Sequence, residues 1–202
     1  MARTHQRQAT ATVVLLVRHG VTPTTGTVLP GRAAGLDLAP DGRAQADHAA
    51  SRLGTLGTVR AVYSSPLERA RQTAAPIART CGVRVRVRKG LNECDFGDWT
   101  GRRLADLRKL AAWGAVQHRP SSFRFPGGES FTEMQARITA ELASLAADHP
   151  GETIVAVSHA DPIKAAVAHA VGTHLDLFQR IVVSPCSISA LAFFGSSPMA
   201  MT

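Results

Sequence analysis

Val13-Val14-Leu15-Leu16-Val17 is an unbroken apolar run that stops abruptly at Arg18-His19-Gly20. A strand with one wet face alternates polar and apolar residues. A run without that alternation belongs to a strand covered on both faces, as in a parallel sheet. Runs of similar character recur at Val59–Ser64, Thr153–Val157 and Ser187–Phe194. Between them lie stretches with helical spacing: Ala44, Ala46, Ala49, Ala50 and Leu53 after Pro40-Asp41, then residues 65–81, 131–147 and 161–171. Strands alternating with helices predict an α/β fold, a three-layer α/β/α sandwich with a mostly parallel central sheet.

Local signals refine this outline. Ser65, Pro66 and Glu68 have the order of a capping-box helix start. Asp161-Pro162 reads as an N-cap with proline at the first helical position. Val83-Arg84-Val85-Arg86-Val87-Arg88 alternates strictly and predicts a strand with valines inward and arginines outward. Its arginines read as the charged side of an edge strand that resists edge-to-edge pairing rather than as a recognition ladder. Residues 94–129 break the α/β rhythm with one predicted helix at about 104–116, and read as a small helical lid over the strand ends. Residues 1–11 read as a loose tail, and the whole chain, 1–202, as one domain.

Composition narrows the function. The formal net charge is +8, which favours anionic partners. One tyrosine and two tryptophans are few for a base-stacking platform, so nucleic acid is not the expected partner. No apolar run approaches the roughly 20 residues of a membrane span, and no membrane partner is expected. The short apolar stretch after the basic N-terminus does not fit a signal peptide. Cys81, Cys94 and Cys186 are odd in number and lack metal spacing, which suits reduced thiols in a cytoplasmic protein. A homodimer is left open.

The chemistry gathers at the strand ends. His19 ends one strand and His159, in Val157-Ser158-His159, ends another. Arg18 follows a strand directly, and Arg69 falls in the first turn of a helix. In a parallel sheet these ends open on one side, where ligands bind. Guanidinium groups match the geometry of a tetrahedral dianion, and a histidine among them can act as a nucleophile. One histidine after a strand is ordinarily structural; two with two arginines and Leu91-Asn92-Glu93 nearby form a constellation. His5, His48, His118, His149, His169 and His174 read as surface or packing residues. Arg32, Phe96, Trp99, Arg102, Arg124 and Phe125 are candidates for the outer pocket.

The stretches "LLVRHGVT", "LAPDGRAQA", "VYSSPLERARQTA", "LNECDFGDWTG", "PGGES" and "AVSHADPI" resemble the histidine phosphatase superfamily, the phosphoglycerate-mutase-like proteins, in order and over nearly the whole chain. "HGVTPTTGTVLPGRAAGLDL" and "SHADPIKAA" look most like actinobacterial members of phosphomutase or phosphatase type. The resemblance implies that His19 is transiently phosphorylated. It further implies that Arg18, Arg69 and His159 complete the phosphate pocket and that Glu93 is the proton donor. A place that often holds asparagine near the phosphate falls on Thr25, and the usual glycine after the second histidine is Ala160. The implied activity is hydrolysis of a small phosphorylated metabolite, releasing inorganic phosphate, with no cofactor and no metal. The alternatives are a phosphomutase, disfavoured by the short lid, and a phospholigand-binding protein without turnover, disfavoured by the intact constellation.

Overall fold

The structure, a computed structural model, describes residues 10–195 and 197–201. Residues 1–9 of the tail expected over 1–11 therefore lie outside the described residues. Six strands form one sheet in the order β3-β2-β4-β1-β5-β6: β1 is Thr12–Arg18, β2 Val59–Ser64, β3 Val85–Val87, β4 Thr153–Ser158, β5 Ile188–Phe194 and β6 Ser197–Met201. Strands β3, β2, β4 and β1 run parallel to one another, β5 pairs antiparallel with β1, and β6 antiparallel with β5.

Alternation within the apolar runs feeds two cores. Val14 and Leu16 of β1 face one side of the sheet with Ile154 and Ala156 of β4. Leu15 and Val17 face the other with Val155 and Val157. The second side is covered by α1 (Pro40–Gly54) and α2 (Glu68–Thr80). Their small contact residues, Ala50, Ala70 and Ala74, let the two helices approach closely. The first side is covered by α5 (Phe131–Ala147) and α6 (Ala160–Ala170), through Met134, Ile138, Leu142 and Ile163. The three predicted layers and the parallel centre are present.

The region between β3 and α5 corrects one expectation. The helix expected at 104–116 is two short pieces, α3 (Leu104–Leu107) and α4 (Trp113–His118). Leu104, Leu107, Leu110, Trp113 and Val116 recur every third residue. On a regular α-helix that spacing drifts around the axis; three-residue turns keep it on one side. Backbone bonds from Leu110 to Leu107 and from Trp113 to Leu110 supply those turns. All five side chains then belong to the core beneath or its margin.

Other differences are local. The strand expected at 83–88 pairs only over β3, at the edge of the sheet. Val83 and Val85 are half-buried there, but Val87 is 50% exposed. Arg88 turns inward instead and pairs with Glu141, Nε to Oε1 at 2.6 Å. Strand β6 was not anticipated; it gains regularity by pairing with β5. The capping roles expected of Ser65 and Asp161 are not realised. Leu67 and His159 occupy those N-cap positions, without a side-chain cap. A capping box forms instead at Ser130 and Glu133, where Ser130 Oγ accepts from Glu133 N–H at 3.1 Å and Glu133 Oε2 accepts from Ser130 N–H at 3.0 Å.

Candidate active site

Strand register places the chemistry. Arg18 pairs with Ser158 across β1 and β4, and Ser64 of β2 lies opposite Val157. Three strands thus end at one level, and the next residues, His19, Ser65 and His159, leave the sheet side by side. The backbone carries the register one step further: His19 N–H donates to Ser158 O at 3.0 Å, and Ser65 N–H to Val157 O at 2.9 Å. Gly20 is needed because the turn after His19 lies against the first turn of α1. A β-carbon at Gly20 would run into the carbonyl of Gly42, and one at Gly42 into the carbonyl of Val21.

His19 is 6% exposed. Its Nδ1 lies 2.7 Å from the carbonyl oxygen of Gly20. A carbonyl only accepts, so Nδ1 carries the hydrogen and Nε2 keeps its lone pair. Burial first, then the charges of Arg69 and Arg18, lowers the imidazole pKa to about 3. The ring is neutral across the physiological range.

Three donor atoms converge near it without partners among the described residues: Arg69 Nη1, Arg18 Nε and His159 Nδ1. Buried polar atoms are normally hydrogen-bonded, so such a group marks a place built for something else. Arg69 is fully buried, with Nη2 anchored on the carbonyl of Gly31 at 2.8 Å and Nε directed at His19 Nε2 at 3.3 Å. Arg18 is held through Nη1 on the carbonyl of Val183 at 2.7 Å. His159 is fully buried, its ring centroid 5.1 Å from that of His19. Burial and then Arg69 push its pKa well down. Its Nε2 meets Ser65 Oγ at 2.7 Å; the other acceptor open to that hydroxyl, Asn92 Oδ1, is more distant at 3.4 Å. The Ser65 hydroxyl thus ties the His159 ring to the loop that carries Glu93.

Glu93 faces this group. Its Oε2 lies 4.0 Å from His159 Nδ1, and its Oε1 accepts from Cys94 N–H at 2.9 Å. Desolvation, with help from Asp161, raises its pKa to about 7 against the opposing pull of Arg69 and Arg18. A neutral carboxyl at that pH can give a proton and later take one. The loop that carries Glu93 is clamped from behind. Arg32 Nε donates to the Glu93 carbonyl at 2.8 Å, and Arg137 Nη1 donates to the carbonyls of Gly90 and Asn92 at 2.8 and 2.9 Å. Glu129 ties the two arginines together, with Arg32 Nη2 and Arg137 Nε at 2.8 and 2.9 Å from its Oε1.

Arg18, His19, Thr25, Glu93 and Asp161 line a cavity of about 260 Å3. Thr25 stands at its wall with its hydroxyl in a local turn, accepting from Thr22 N–H at 2.8 Å and 3.0 Å from Thr22 Oγ1. Of the outer-pocket candidates, Phe96 lines this cavity and Phe125 an adjoining one. Trp99 is core, Arg102 is exposed, and Arg124 pairs with Glu133 at the surface. His48, His118, His169 and His174 are exposed, and His149 is buried between Tyr63 and Glu152. His5 lies outside the described residues. Among the described residues, no group of three or more His, Cys, Asp or Glu side chains is placed to hold a metal ion. Arg32, also expected in the outer pocket, holds the Glu93 loop instead; Ser65, Arg137 and Asp161 were not singled out as site residues from sequence. Ser65 carried a signal that was read as a cap; the two arginines act through loop carbonyls, which no motif announces.

A sheet of this order, with two histidines and two arginines at its parallel strand ends, defines a class, and the chain belongs to it: the histidine phosphatase superfamily (branch 1), whose profile matches residues 14–201. A protein of Mycobacterium tuberculosis named as bifunctional is 32% identical over 192 residues, 93% of this chain and 52% of that protein. The chain spans about half the length of such mycobacterial relatives. "Probable phosphoglycerate mutase GpmB" of Salmonella paratyphi C is 30% identical over 189 residues, 93% of this chain and 87% of that one. The structure of a mycobacterial glucosyl-3-phosphoglycerate phosphatase superposes with a TM-score of 0.83 at 28% identity, covering 95% of this chain and 96% of that chain. Among the described residues, no helix is long and apolar enough to cross a membrane.

Proposed function

We propose that the protein hydrolyses a phosphomonoester of a small metabolite through a phosphohistidine at His19. The observation that carries this reading is His19 Nε2, an unprotonated nitrogen 3.3 Å from Arg69 Nε, in a site where Arg69, Arg18 and His159 each keep a buried nitrogen without a partner among the described residues. A phosphoryl group set there receives N–H groups from Arg18, Arg69 and His159 on its equatorial oxygens while Nε2 attacks phosphorus. The bond from phosphorus to the ester oxygen breaks as the N–P bond forms, and protonated Glu93 gives its proton to the leaving oxygen. Water then attacks phosphorus and Glu93 takes its proton. The N–P bond breaks, releasing inorganic phosphate and restoring neutral His19. All of these groups come from one copy of the chain. Thr25 bounds the phosphate site as a wall.

A second reading is a phosphomutase, favoured by the likeness to the Salmonella protein. The two differ in whether water or a second hydroxyl receives the phosphoryl group. The cover contributed by 94–129 is short, two small helices and turns, which favours water. Incubation with the monophosphate of a diol, which offers a second hydroxyl, decides between them. Hydrolysis releases phosphate in step with substrate lost and needs no bisphosphate primer. Isomerised product without phosphate, accelerated by a bisphosphate, assigns the mutase.

A further inference from the structure

The phosphate cavity does not end at Glu93. A second cavity of about 230 Å3 adjoins it, and Leu29, Phe96, Leu104, Asp161 and Lys164 line both. Beyond that shared rim its walls are Trp113, Val116, Phe125 and Phe131, with the amides of Gln117 and Gln179. Phe96, Phe125 and Phe131 are buried and pack as one aromatic cluster behind it, with ring centroids 4.9 Å apart for the first pair and 5.1 Å for the second. Leu29, Leu104 and Trp113 are only partly buried, so apolar surface stays open to whatever enters.

The polar groups there are balanced. Lys164 is the one cationic side chain among the described residues lining this second cavity. Its ammonium is already engaged, 3.4 Å from Asp161 Oδ1 and 3.1 Å from Gln179 Oε1. The pair is mostly buried, at 17% and 18% side-chain exposure, and adds no net charge. A carboxylate entering this compartment meets Lys164 only as half of a neutral pair, with Asp161 repelling it, and gives up its hydration there, which is costly. A neutral, apolar body instead gains by leaving water.

We infer that the compartment beyond Glu93 receives the alcohol part of the substrate, and that this alcohol is uncharged and apolar or aromatic rather than carboxylate-bearing. Leu104 and Trp113 are the specificity-determining contacts. Lys164 and Asp161, held as a closed pair, reject an additional anion at the junction. The inference rests on reading the His19 cavity as a phosphomonoesterase site, and continuity between the two cavities links them. It separates this protein by chemistry from enzymes whose substrates carry a carboxylate beside the phosphate.

Phosphonates test binding apart from turnover, because a P–C bond cannot be hydrolysed. Calorimetric titrations use ethylphosphonate, 3-phenylpropylphosphonate and 2-carboxyethylphosphonate. The phenylpropyl compound should bind roughly 10- to 100-fold more tightly than the ethyl compound, the gain expected for burying one aromatic group. The carboxyethyl compound should bind no more tightly than the ethyl one. Leu104→Asn should reduce the phenylpropyl preference by about tenfold. Gln117→Lys, which adds an unpaired cation to the lining, should raise affinity for the carboxyethyl compound. Equal affinities for all three ligands, a tighter carboxyethyl compound, or an unchanged preference in Leu104→Asn and Gln117→Lys alike would overturn the inference. Rates with the matching phosphate esters are measured alongside. A phenylpropyl preference in binding without ester hydrolysis supports the ligand class and removes the hydrolase reading. Ester hydrolysis without a binding preference does the reverse.

Discussion

Arg69 Nε lies 3.3 Å from Nε2 of His19, the nitrogen proposed to attack phosphorus. The same guanidinium leaves Nη1 buried and unpartnered and rests its other arm on Gly31. The arginine therefore touches the proposed nucleophile and offers a hydrogen to an anion beside it. In the proposed reaction a phosphoryl oxygen competes with Nε2 for the guanidinium hydrogens. Nucleophile and anion site are coupled through one planar, fork-shaped group.

That coupling predicts a severe effect from a change that keeps the charge. In Arg69→Lys a flexible ammonium cannot serve His19, Gly31 and a phosphate oxygen together. Loss of one preorganised donor costs about 10²–10³ in kcat, and a fall of at least that size in kcat/KM for an aryl phosphate is expected. Thermal unfolding gives a second check. Vanadate or phosphate should raise the Tm of the wild type by mass action and barely move that of the variant.

The pH profile should divide by leaving group. His19 is unprotonated from about pH 3 upward, so the nucleophile places no acid limb between pH 5 and 8. Glu93, with its pKa near 7, must be protonated to expel an alkyl alcohol but matters less for a phenolate. Turnover of alkyl phosphates should therefore decline as pH rises through about 7, while aryl phosphates stay flatter. Glu93→Gln should remove that decline and cost alkyl substrates far more than aryl ones. Equal losses in both classes would take the proton-donor role away from Glu93.

The same carboxyl has a consequence for stability. Its folded pKa lies above the ordinary carboxyl value of 4.5, so the folded state holds the proton more tightly than the unfolded chain. The resulting stability is complete below pH 4.5 and drains away as pH rises through about 7. Glu93→Gln never ionises. Its stability relative to the wild type should therefore grow by up to about 3 kcal/mol between pH 4.5 and 7.5. Urea unfolding of both proteins at several pH values measures the difference, and one that does not change with pH is the contrary result.

Gly20→Ala should damage fold and chemistry together. The new methyl group meets the Gly42 carbonyl, and backbone cannot swing aside as a side chain can. Overpacking of this kind costs about 1–3 kcal/mol. A displacement of His19 by about 1 Å can lower the rate on the order of 100-fold. A variant with normal Tm and normal kcat would show that the turn has more room than the contact implies.

The strands and the major helices were legible because burial on two faces leaves periodic marks in a sequence. Leu15 and Leu16 are adjacent letters that serve opposite cores. The helix over Phe131–Ala147 was readable to the residue. The broken helix at 104–118 was not, because its three-residue apolar spacing resembles helical spacing until the underlying core is known. Ser65 shows how a local rule can mislead. Serine, proline and glutamate at helix-start spacing suggest a cap, but the hydroxyl lies 2.7 Å from His159, a residue 94 positions away in the chain.

By itself the sequence determined the alternation of the first five strands with the major helices, the set of groups at the strand ends and the superfamily, since each is written in residue types and short spacings. Only the tertiary structure decided the state of those groups. The neutrality of His19 comes from burial beside two guanidiniums and the raised pKa of Glu93 from desolvation near Asp161. The unpartnered arm of Arg69 is visible only when every neighbour is in place. Solvation and Coulomb interaction depend on distance through space, and chain order records little of that distance.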